Sequence, residues 1–415
     1  MQQFHLLSFE GPDDYSRAGG LSTRIEGLFE ALVEAGIETH LWFVGDPDLP
    51  GHARDRTGFL HRWCQWISQH HRNGVYDGET GKALDYARSL PPRLVEDTLG
   101  PHLMAGGQAV VLAEEWHTVE AVLHLDWLLK RLGLRERVSI LWNANQTRNL
   151  HRVDWDRLRK AAMITTVSRY MKHSMAELGI DAVVIPNGLG SDVLQRPDPE
   201  AVRAVRRALK RRVVLTKIAR FDPDKRWPFA IDCVVSLKAR GLRPILIARG
   251  GSEAYGTQVI DRARALDLGV VERSMERPGV TGLLEALQRI EHADVLNLCS
   301  ELDPEARRVL FRASDAVLAN SMREPFGLVG LEAMAAGGLA CTGCSGEDYA
   351  IPGRNALVLQ TDDPHEFVTL YRPLGTDASL IRSIRRAARA TARDFAWKRI
   401  IMSELMPRAQ LARSA

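Results

Sequence analysis

Short, continuous apolar segments recur along this chain, and stretches with helical periodicity separate them. Most of these segments, such as Val213–Ile218 and Ala316–Ala319, lack the strict alternation of a strand with one face in water. Strands that are buried on both faces have this pattern, as in a parallel sheet covered by helices. The sequence therefore predicts an α/β protein built from doubly wound parallel sheets.

The predicted strands fall into two groups. In the first half of the chain they are Phe4–Phe9, Thr39–Val44, Ala109–Ala113, Ser139–Trp142, Met163–Val167 and Ala182–Ile185. In the second half they are Val213–Ile218, Pro244–Ala248, Val295–Leu298, Ala316–Ala319, Leu339–Thr342 and Leu357–Leu359. A helix is predicted over Leu21–Ala35, because its apolar residues share one face and Gly36 suits a helix end.

A change in composition divides the chain, whose 415 residues leave room for two or three domains. Prolines and a run of basic residues precede the strand that starts at Val213. We predict an N-terminal Rossmann-like domain over 1–192, a linker over 193–212, a second Rossmann-like domain over 213–385 and a C-terminal helix over 386–415. Residues 45–99 fit the alternation poorly and are interpreted as an insertion that shapes a pocket. Aromatic packing is favoured there over a zinc site on its histidines and Cys64.

Several functional classes are excluded or disfavoured. The 55 basic and 52 acidic residues nearly balance, which argues against a dedicated nucleic-acid binder. Five cysteines, of which only Cys341 and Cys344 form a C-x-x-C, do not make a disulfide framework. No apolar run reaches the roughly 20 residues of a transmembrane helix, and no secretory signal is recognised. We therefore expect a cytoplasmic protein with no transmembrane segment and no nucleic-acid partner, and a homo-oligomer stays open.

The stretch Ser321–Gly337 carries the strongest chemical signal. Pro325 and Gly327 form a turn directly after a predicted strand, and a helix follows. Free N–H groups and the positive end of the helix dipole favour a phosphate at the start of that helix. The carboxylates of Glu324 and Glu332 are able to accept hydrogen bonds from sugar hydroxyls. The stretch therefore predicts a site for a ligand with both groups.

A second cluster follows the predicted strand Val213–Ile218. Arg220 and Lys225 lie five positions apart across a proline turn, from which they are able to converge on one doubly charged group. Asp222–Asp224 reads as a metal-binding D-x-D, but a turn is favoured because Asp-Pro initiates turns. A third cluster, Gly19–Gly20, allows close approach of the backbone to a ligand. All three clusters lie at strand-to-helix edges, where doubly wound sheets bind ligands.

With these motifs the sequence resembles the retaining glycosyltransferases of the GT-B fold, specifically the glycogen-synthase- and sucrose-synthase-like superfamily, and is of the family 4 type. The resemblance is carried by an E-x7-E pattern, an R-x4-K pair, a G-G-L loop, and three further strings at 165–170 (TTVSRY), 185–188 (IPNG) and 394–397 (DFAW). It implies two Rossmann-like domains facing across a cleft, with a C-terminal helix that crosses back to the first domain.

The resemblance also implies roles for individual residues. It assigns catalysis to Arg220, Lys225 and Glu324, of which the two cations neutralise a diphosphate and the glutamate holds hydroxyls of the donor sugar. It assigns binding of the nucleotide-sugar donor to Gly19, Gly20, Asn187, Phe326, Gly327, Leu328, Val329 and Glu332. It assigns contacts with the acceptor or the sugar to Arg17, Glu114 and His117. No metal and no cofactor is then required, and no catalytic base is named.

Two positions depart from the family pattern. Glu114 stands where glycogen synthases have the first histidine of H-D-W-H, although His117 matches the second, and Arg17 stands where starch and glycogen synthases have lysine. We expect transfer of a hexose, with glucose as the expected sugar, from a nucleotide diphosphate sugar to an acceptor hydroxyl. Another GT-B enzyme, such as a nucleotide-sugar epimerase or a phosphorylase, and a non-catalytic sugar-nucleotide binding protein stay open as alternatives. The nucleotide base and the acceptor are not readable from the sequence.

Overall fold

The structure is a computed structural model that describes residues 2–343 and 346–414, with side chains as far as residue 412. Cys344 of the C-x-x-C string therefore lies outside the described residues. The chain divides into two compact units, one of Met1–Gly190 with Phe395–Ala415 and the other of Ser191–Asp394. Among the described residues, no helix is both long enough and apolar enough to cross a membrane.

The first unit contains an eight-stranded sheet in the described part of the chain, in the order β3-β4-β2-β1-β5-β6-β7-β8. Its strands are β1 (Gln2–Leu7), β2 (Glu38–Val44), β3 (His52–Asp55), β4 (Gly58–Trp63), β5 (Gln108–Glu114), β6 (Val138–Ala144), β7 (Met163–Thr166) and β8 (Val183–Val184). Neighbouring strands are parallel except for β3, which pairs antiparallel with β4 at the edge.

Helices follow most of these strands, as a parallel sheet requires. They are α1 (Gly20–Glu34), α2 (Gln65–Ser68), α3 (Glu79–Leu94), α4 (Gly100–Met104), α5 (Val119–Arg131), α6 (Trp155–Ala161) and α7 (Arg169–Ala176). A π-helical turn over Val95–Leu99 joins α3 to α4. The second unit begins with α8 (Pro199–Ala208).

The second unit contains a seven-stranded parallel sheet in its described residues, in the order β11-β12-β10-β9-β13-β14-β15. Its strands are β9 (Val213–Ile218), β10 (Pro244–Arg249), β11 (Val270–Arg273), β12 (Val295–Leu298), β13 (Ala316–Ala319), β14 (Ala340–Thr342) and β15 (Leu357–Val358). Its helices after α8 are α9 (Trp227–Lys238), α10 (Tyr255–Ala265), α11 (Gly279–Ala286), α12 (Pro304–Ala313), α13 (Leu328–Ala335), α14 (Pro364–Thr376) and α15 (Ala378–Asp394).

The chain returns to the first unit after α15, as the predicted fold requires. The returning segment forms α16 (Trp397–Ile400), a π-helical turn and α17 (Met406–Ser414). Hydrogen bonds from Leu189 N to Phe395 O (2.8 Å) and from Trp397 N to Leu189 O (3.1 Å) fix its entry. Its apolar side chains join the core formed by β1, β2 and α1. Burial of this apolar surface stabilises the segment on the first unit.

Two sequence-based boundaries differ from the structure. Residues 199–208 of the predicted linker form α8, whose Val205 is buried in the core of the second unit. The predicted C-terminal helix begins at residue 386, whereas in the structure α15 belongs to the second unit and the return starts at Phe395. In both cases an amphipathic helix packs against other helices of the second unit, which the charge pattern alone does not reveal.

Residues 45–99 form regular elements rather than an irregular insertion, although residues 72–76 of this segment line a cavity of the first unit. β4 continues the sheet by pairing parallel with β2, β3 adds an antiparallel edge, and α3 covers the strands. Pro91 and Pro92 lie inside α3 rather than ending it, and the π-helical turn follows them directly. Because proline lacks an N–H and crowds the preceding turn, a local change of helical hydrogen bonding after the two prolines is physically reasonable.

Candidate active site

Two loops meet at the carboxyl edge of the second sheet, because β9 and β13 are neighbours. The N–H of Met322 donates to the carbonyl of Asp224 at 2.8 Å, which ties the loop after β13 to the loop after β9. The Nζ of Lys225 then lies 3.2 Å from Oε1 of Glu324. Both side chains are partly exposed, so the pair is open to a ligand.

The loop after β9 is a turn, as its Asp-Pro sequence predicts. The carboxylate of Asp222 accepts a hydrogen bond from the N–H of Asp224 at 2.8 Å, and Pro223–Lys225 form one turn of 3₁₀-helix. The exposed Arg220 precedes this turn, and its carbonyl accepts a hydrogen bond from Nε1 of Trp227 at 2.8 Å. Among the described residues, no three His, Cys, Asp or Glu side chains form a potential metal-binding group.

The loop after β13 leads into the start of α13. Gly327 caps the helix with a φ of +75°, a conformation that glycine adopts without strain. The hydroxyl of Tyr349 donates to the Gly327 carbonyl, and the buried Phe326 packs against the Tyr349 ring. Leu328 and Val329 begin the helix and are partly exposed. The positive end of the helix dipole therefore lies on the same loop as Glu324.

Glu332 lies further along α13, in a small cavity that α12 helps to form. Its Oε2 is 3.6 Å from a guanidinium nitrogen of Arg307, and Arg308 and Phe311 line the same cavity. Burial raises the pKa of Glu332, and the Arg307 charge partly offsets this effect. The two glutamates of the E-x7-E pattern therefore occupy different environments, with Glu324 on the open loop and Glu332 largely enclosed.

Lys217 is a residue of this region that sequence reasoning missed. It is buried in the centre of the sheet, where Nζ donates to the Leu318 carbonyl at 3.1 Å and to Oδ1 of Asn320 at 3.0 Å. Burial lowers the pKa of Lys217 to about 7, although the charge of Glu324 acts in the opposite direction. The available signal was a lysine inside the apolar run of β9, a position that lysine rarely occupies.

In the first unit, Gly19 and Gly20 lie where α1 begins. The N–H groups of Gly19 and Ser22 donate to one oxygen of Glu10, at 3.2 and 3.0 Å. The other oxygen of Glu10 accepts a hydrogen bond from the Tyr76 hydroxyl at 2.5 Å. Glu10, which sequence reasoning also missed, thus places a carboxylate of the chain itself at the start of this helix, where an anion is favourable.

Glu114 forms a buried ion pair rather than an open polar contact. Its Oε1 lies 3.0 Å from Nε of Arg24, and both side chains are about 1% exposed or less. The amides of Asn143 and Asn145 donate to its other oxygen at 2.8 and 2.6 Å. Arg24 also donates to Oδ1 of Asn187 at 2.7 Å. Glu114 and Asn187, which were predicted to contact different ligands, are thus joined through Arg24.

Glu115 adopts an unusual backbone conformation directly after β5. Its φ is +68° and its ψ is 164°, values that a residue with a side chain rarely adopts. One carboxylate oxygen accepts a hydrogen bond from the Asn145 N–H at 2.6 Å. Burial nevertheless raises the pKa of Glu115 to about 8. Such strain and such a shifted pKa are frequent at functional sites, so Glu115 joins the candidate residues.

His117 lies nearby on the same strand-end segment. Its ring stacks on Phe9 with centroids 4.2 Å apart, and its Nε2 is 2.8 Å from a carboxylate oxygen of Glu79. Its Nδ1 is buried and has no hydrogen-bond partner among the described residues. Burial lowers the pKa of His117, and Glu79 partly offsets this effect. A neutral imidazole with one unpaired nitrogen is able to bind a ligand hydroxyl.

A polar cavity of about 350 Å³ lies in the first unit, and the ring of Tyr76 in its wall lies 5.7 Å from that of His117. Arg17, Arg72 and Tyr76 are among its lining residues. Arg17 is paired with Glu26 at 2.7 Å, and Arg72 is paired with Asp48 at 2.6 Å. The buried Lys82 fixes the 74–75 backbone of the cavity wall by donating to its carbonyls, at 3.1 and 3.2 Å. The cavity therefore combines a fixed wall with two exposed cations.

Comparison with known proteins gives a consistent family assignment for both units. Residues 18–192 match the model of Glycosyltransferase Family 4, and residues 199–391 match that of Glycosyl transferases group 1. A curated relative, the D-inositol 3-phosphate glycosyltransferase of Streptomyces avermitilis, is 31% identical over 118 residues. That match covers 28% of this chain and only 25% of the relative.

Solved structures match over the whole chain. The sucrose-phosphate synthase of Thermosynechococcus elongatus has a TM-score of 0.64 at 18% identity, and the match covers 100% of both chains. The catalytic domain of starch synthase IV from Arabidopsis thaliana, bound to ADP and acarbose, has a TM-score of 0.70 at 15% identity. That match covers 100% of this chain and 99% of the other. At these identities the two structures establish the shared fold.

Proposed function

Because this chain belongs to the GT-B glycosyltransferases, with a family 4 region followed by a group 1 region, we propose that it is a retaining hexosyltransferase. It takes a hexose, with glucose as the expected sugar, from a nucleotide diphosphate sugar. It transfers the hexose to an acceptor hydroxyl without a metal ion. The two loops at the carboxyl edge of the second sheet are the donor site in this proposal.

The Lys225–Glu324 pair is the observation that carries the proposal. It puts a cation from the loop after β9 within 3.2 Å of a hydroxyl acceptor on the loop that leads into α13. A nucleotide sugar needs both groups side by side, because its diphosphate is anionic and its sugar presents hydroxyls. The exposed Arg220 precedes the same turn as Lys225, and its side chain is proposed to supply a second cation with a forked geometry. Glu332 is proposed to hold the ribose.

The chemistry follows from where charge develops. When the anomeric C–O bond breaks, its electron pair goes to the diphosphate and the sugar ring gains positive character. Arg220, Lys225 and the first N–H groups of α13 stabilise the leaving diphosphate as its charge grows. The acceptor oxygen attacks the face from which the diphosphate leaves, and its proton passes to a phosphate oxygen. This course retains the anomeric configuration and requires neither a protein nucleophile nor a metal ion.

The acceptor is proposed to be a phosphorylated sugar or polyol that enters the cavity of the first unit. Arg17 and Arg72 supply cations there, and a guanidinium binds phosphate oxygens in a bidentate manner. The names of the inositol phosphate and sucrose-phosphate enzymes support this class, since both indicate a phosphorylated partner molecule. His117 and Glu115 are proposed to contact acceptor hydroxyls. Gly19 and Gly20 are proposed to contact the donor, which requires Glu10 to share the N–H group of Gly19.

Glu114 stands where glycogen synthases have histidine, but this difference does not favour the alternative of a non-catalytic binding protein. The carboxylate is fully engaged by Arg24 and two asparagine amides, so its presence is explained by packing within the first unit.

We also propose a cytoplasmic location, because the four described cysteines are free thiols.

The proposal is tested by incubating the protein with UDP-, ADP- and GDP-hexoses and a panel of sugar and polyol phosphates. Proton NMR of the product gives the anomeric configuration, and EDTA tests the metal requirement. We expect a disaccharide phosphate or glycosyl polyol phosphate with the donor's configuration, formed equally well in EDTA. An inverted product, an epimerised donor or release of a sugar 1-phosphate would contradict the proposal.

A further inference from the structure

A lysine inside the second sheet lies directly beneath the proposed donor site. Lys217 is on β9, in the middle of the sheet, and its side chain shares a core with Leu215 and Trp227. In the described part of the chain, no carboxylate lies within ion-pairing distance of its Nζ. A buried ammonium group without an ion pair is costly, and an apolar residue of similar size would usually be the more stable choice.

Lys217 donates hydrogen bonds to the residues just before the loop that carries Glu324. Nζ donates one hydrogen bond to the carbonyl of Leu318, near the end of β13, and another to the side chain of Asn320, which follows that strand. The loop with Glu324 starts at the next residue. The amide nitrogen of Asn320 is itself buried and has no partner among the described residues. Lys217 thus fixes the point from which the Glu324 loop departs.

The charged groups around Lys217 come from several elements. The loops carry the carboxylate of Glu324 and the cations of Lys225 and Arg226. The core contributes the thiols of Cys341 and Cys233. Two cations and one carboxylate act from the loops, while burial opposes the charged form most strongly. Burial therefore brings the pKa of Lys217 down to about 7, so that Lys217 carries its charge only in part near neutral pH.

We propose that Lys217 is a positioning residue that takes up a proton when the nucleotide diphosphate binds. The inference rests on the proposed donor site. The diphosphate adds negative charge above Lys217, which favours the ammonium form. The proton passes from the buffer to Nζ, and the ammonium then holds Leu318 and Asn320 with full charge. Affinity for the donor is thereby coupled to pH through a residue that does not touch the donor.

The sign of this coupling follows from linkage. In the proposal, the pKa of Lys217 is higher in the complex than in the free protein. Protonation of Lys217 therefore strengthens nucleotide binding at a pH below the pKa in the free protein. This gain in affinity is lost at a pH above the pKa in the complex. Relative to Lys217→Met, the wild-type protein should bind a nucleoside diphosphate about tenfold more tightly at pH 6.5 if the pKa rises by one unit. This ratio should fall toward one by pH 9.5.

Calorimetric titration of UDP, ADP and GDP at pH 8, in buffers of different ionisation enthalpy, measures the proton uptake. The terminal phosphate of these nucleotides is already ionised at that pH. We expect wild-type protein to take up about 0.4 proton per bound nucleotide if the pKa rises by one unit from about 7. Lys217→Met should lose this uptake, and Lys238→Met, a half-exposed lysine on α9, should keep it. Equal uptake by Lys217→Met would overturn the proposal.

A second measurement covers the case in which Lys217→Met does not fold. Wild-type protein labelled with ¹³C at lysine Cε is titrated with and without the nucleotide, and the Lys217 signal should show a higher pKa in the complex. An unchanged pKa would refute the inference. If wild-type protein binds no nucleoside diphosphate, the proposed donor site itself is wrong. If it binds one without a Lys217-dependent proton, only the role of Lys217 is wrong.

Discussion

The ammonium group of Lys225 lies 3.2 Å from the carboxylate of Glu324, and the two residues come from the loops after β9 and β13. In this ion pair each charge neutralises the other. A diphosphate sugar would draw Lys225 toward the phosphates and leave Glu324 free to accept sugar hydroxyls. Ligand binding would therefore exchange the contact between the two side chains for contacts with the diphosphate and the sugar.

Lys225→Ala and Glu324→Ala should each lower the transfer rate by about 100-fold or more, because each removes a group that stabilises the developing charges. Both variants should keep the melting temperature of the wild-type protein within a few degrees, since the pair is partly exposed. Arg323→Ala, an exposed neighbour, serves as the matched control and should retain activity. A rate near the wild-type value in either variant would remove the pair from the mechanism.

The buried Arg24–Glu114 pair predicts a loss of stability rather than a simple loss of binding. Glu114→Ala should lower the free energy of unfolding by about 3–5 kcal/mol, because it leaves the Arg24 charge buried and unpaired. Denaturant titration measures the change. Glu96→Ala, which removes an exposed pair with Arg93, should change the same quantity by less than about 1 kcal/mol.

A double variant makes the Glu114 prediction sharper. Arg24→Met combined with Glu114→Leu removes both charges and should recover much of the lost stability. If Glu114→Ala is as stable as wild-type protein and loses only acceptor affinity, the ion-pair interpretation is wrong.

Glu115 predicts a stability that falls as the pH rises. Burial raises its pKa to about 8 in the folded protein, above the ordinary value of 4.5. The folded state therefore binds more protons between these values, and this contribution to stability, complete below pH 4.5, is lost toward pH 8. The slope approaches about 1.4 kcal/mol per pH unit. Glu115→Gln should show a flatter profile from pH 5.5 to 8, and an unchanged slope would refute the assignment.

A cluster of histidines on β2, β3 and β4 of the first sheet predicts that the stability of the protein falls as the pH is lowered. His61 stacks on Trp42 at 3.7 Å and hydrogen bonds to His40 and His52. Burial, with the charges of those two histidines, lowers the pKa of His61 to about 3 from an ordinary 6.5. Its contribution to stability is therefore present above pH 6.5 and is lost as the pH falls toward 3.

Unfolding titrations at pH 7, 6 and 5 measure this acid sensitivity. His61→Phe keeps an aromatic ring on Trp42 and should reduce the loss of stability between pH 6.5 and pH 5 by up to about 1.4 kcal/mol per pH unit. His70→Phe, at an exposed position, should leave the profile unchanged. Identical acid slopes in wild-type protein and His61→Phe would contradict the prediction.

The regular strands could be predicted because their apolar runs reflect burial on both faces of a parallel sheet. β4 was missed since its sequence mixes histidine, arginine and tryptophan with apolar residues. His61 on this strand looks polar, yet it is buried because it stacks on Trp42 and bonds to other histidines. Aromatic polar residues of this kind are ambiguous until the neighbouring strand is known.

The candidate site divides in the same way. Sequence reasoning selected Arg220, Lys225 and Glu324, because the nearby turns and the start of the adjacent helix indicate an anion-binding site. Lys217 and Arg24 were not, since their roles depend on partners far along the chain, such as Asn320 and Glu114. Which strands are neighbours decides those contacts, and a single sequence does not state it.

In the proposed mechanism, the edge of the second sheet binds a nucleoside diphosphate through Lys225 and Arg220. Calorimetric titration of UDP, ADP and GDP into wild-type protein, Lys225→Ala and Arg220→Ala tests it most directly. We predict one nucleotide per chain for wild-type protein and an affinity at least about tenfold weaker in each variant, as expected for loss of a charge-assisted contact. Equal affinity in all three proteins, or no binding of any of the nucleotides by wild-type protein, would contradict the account.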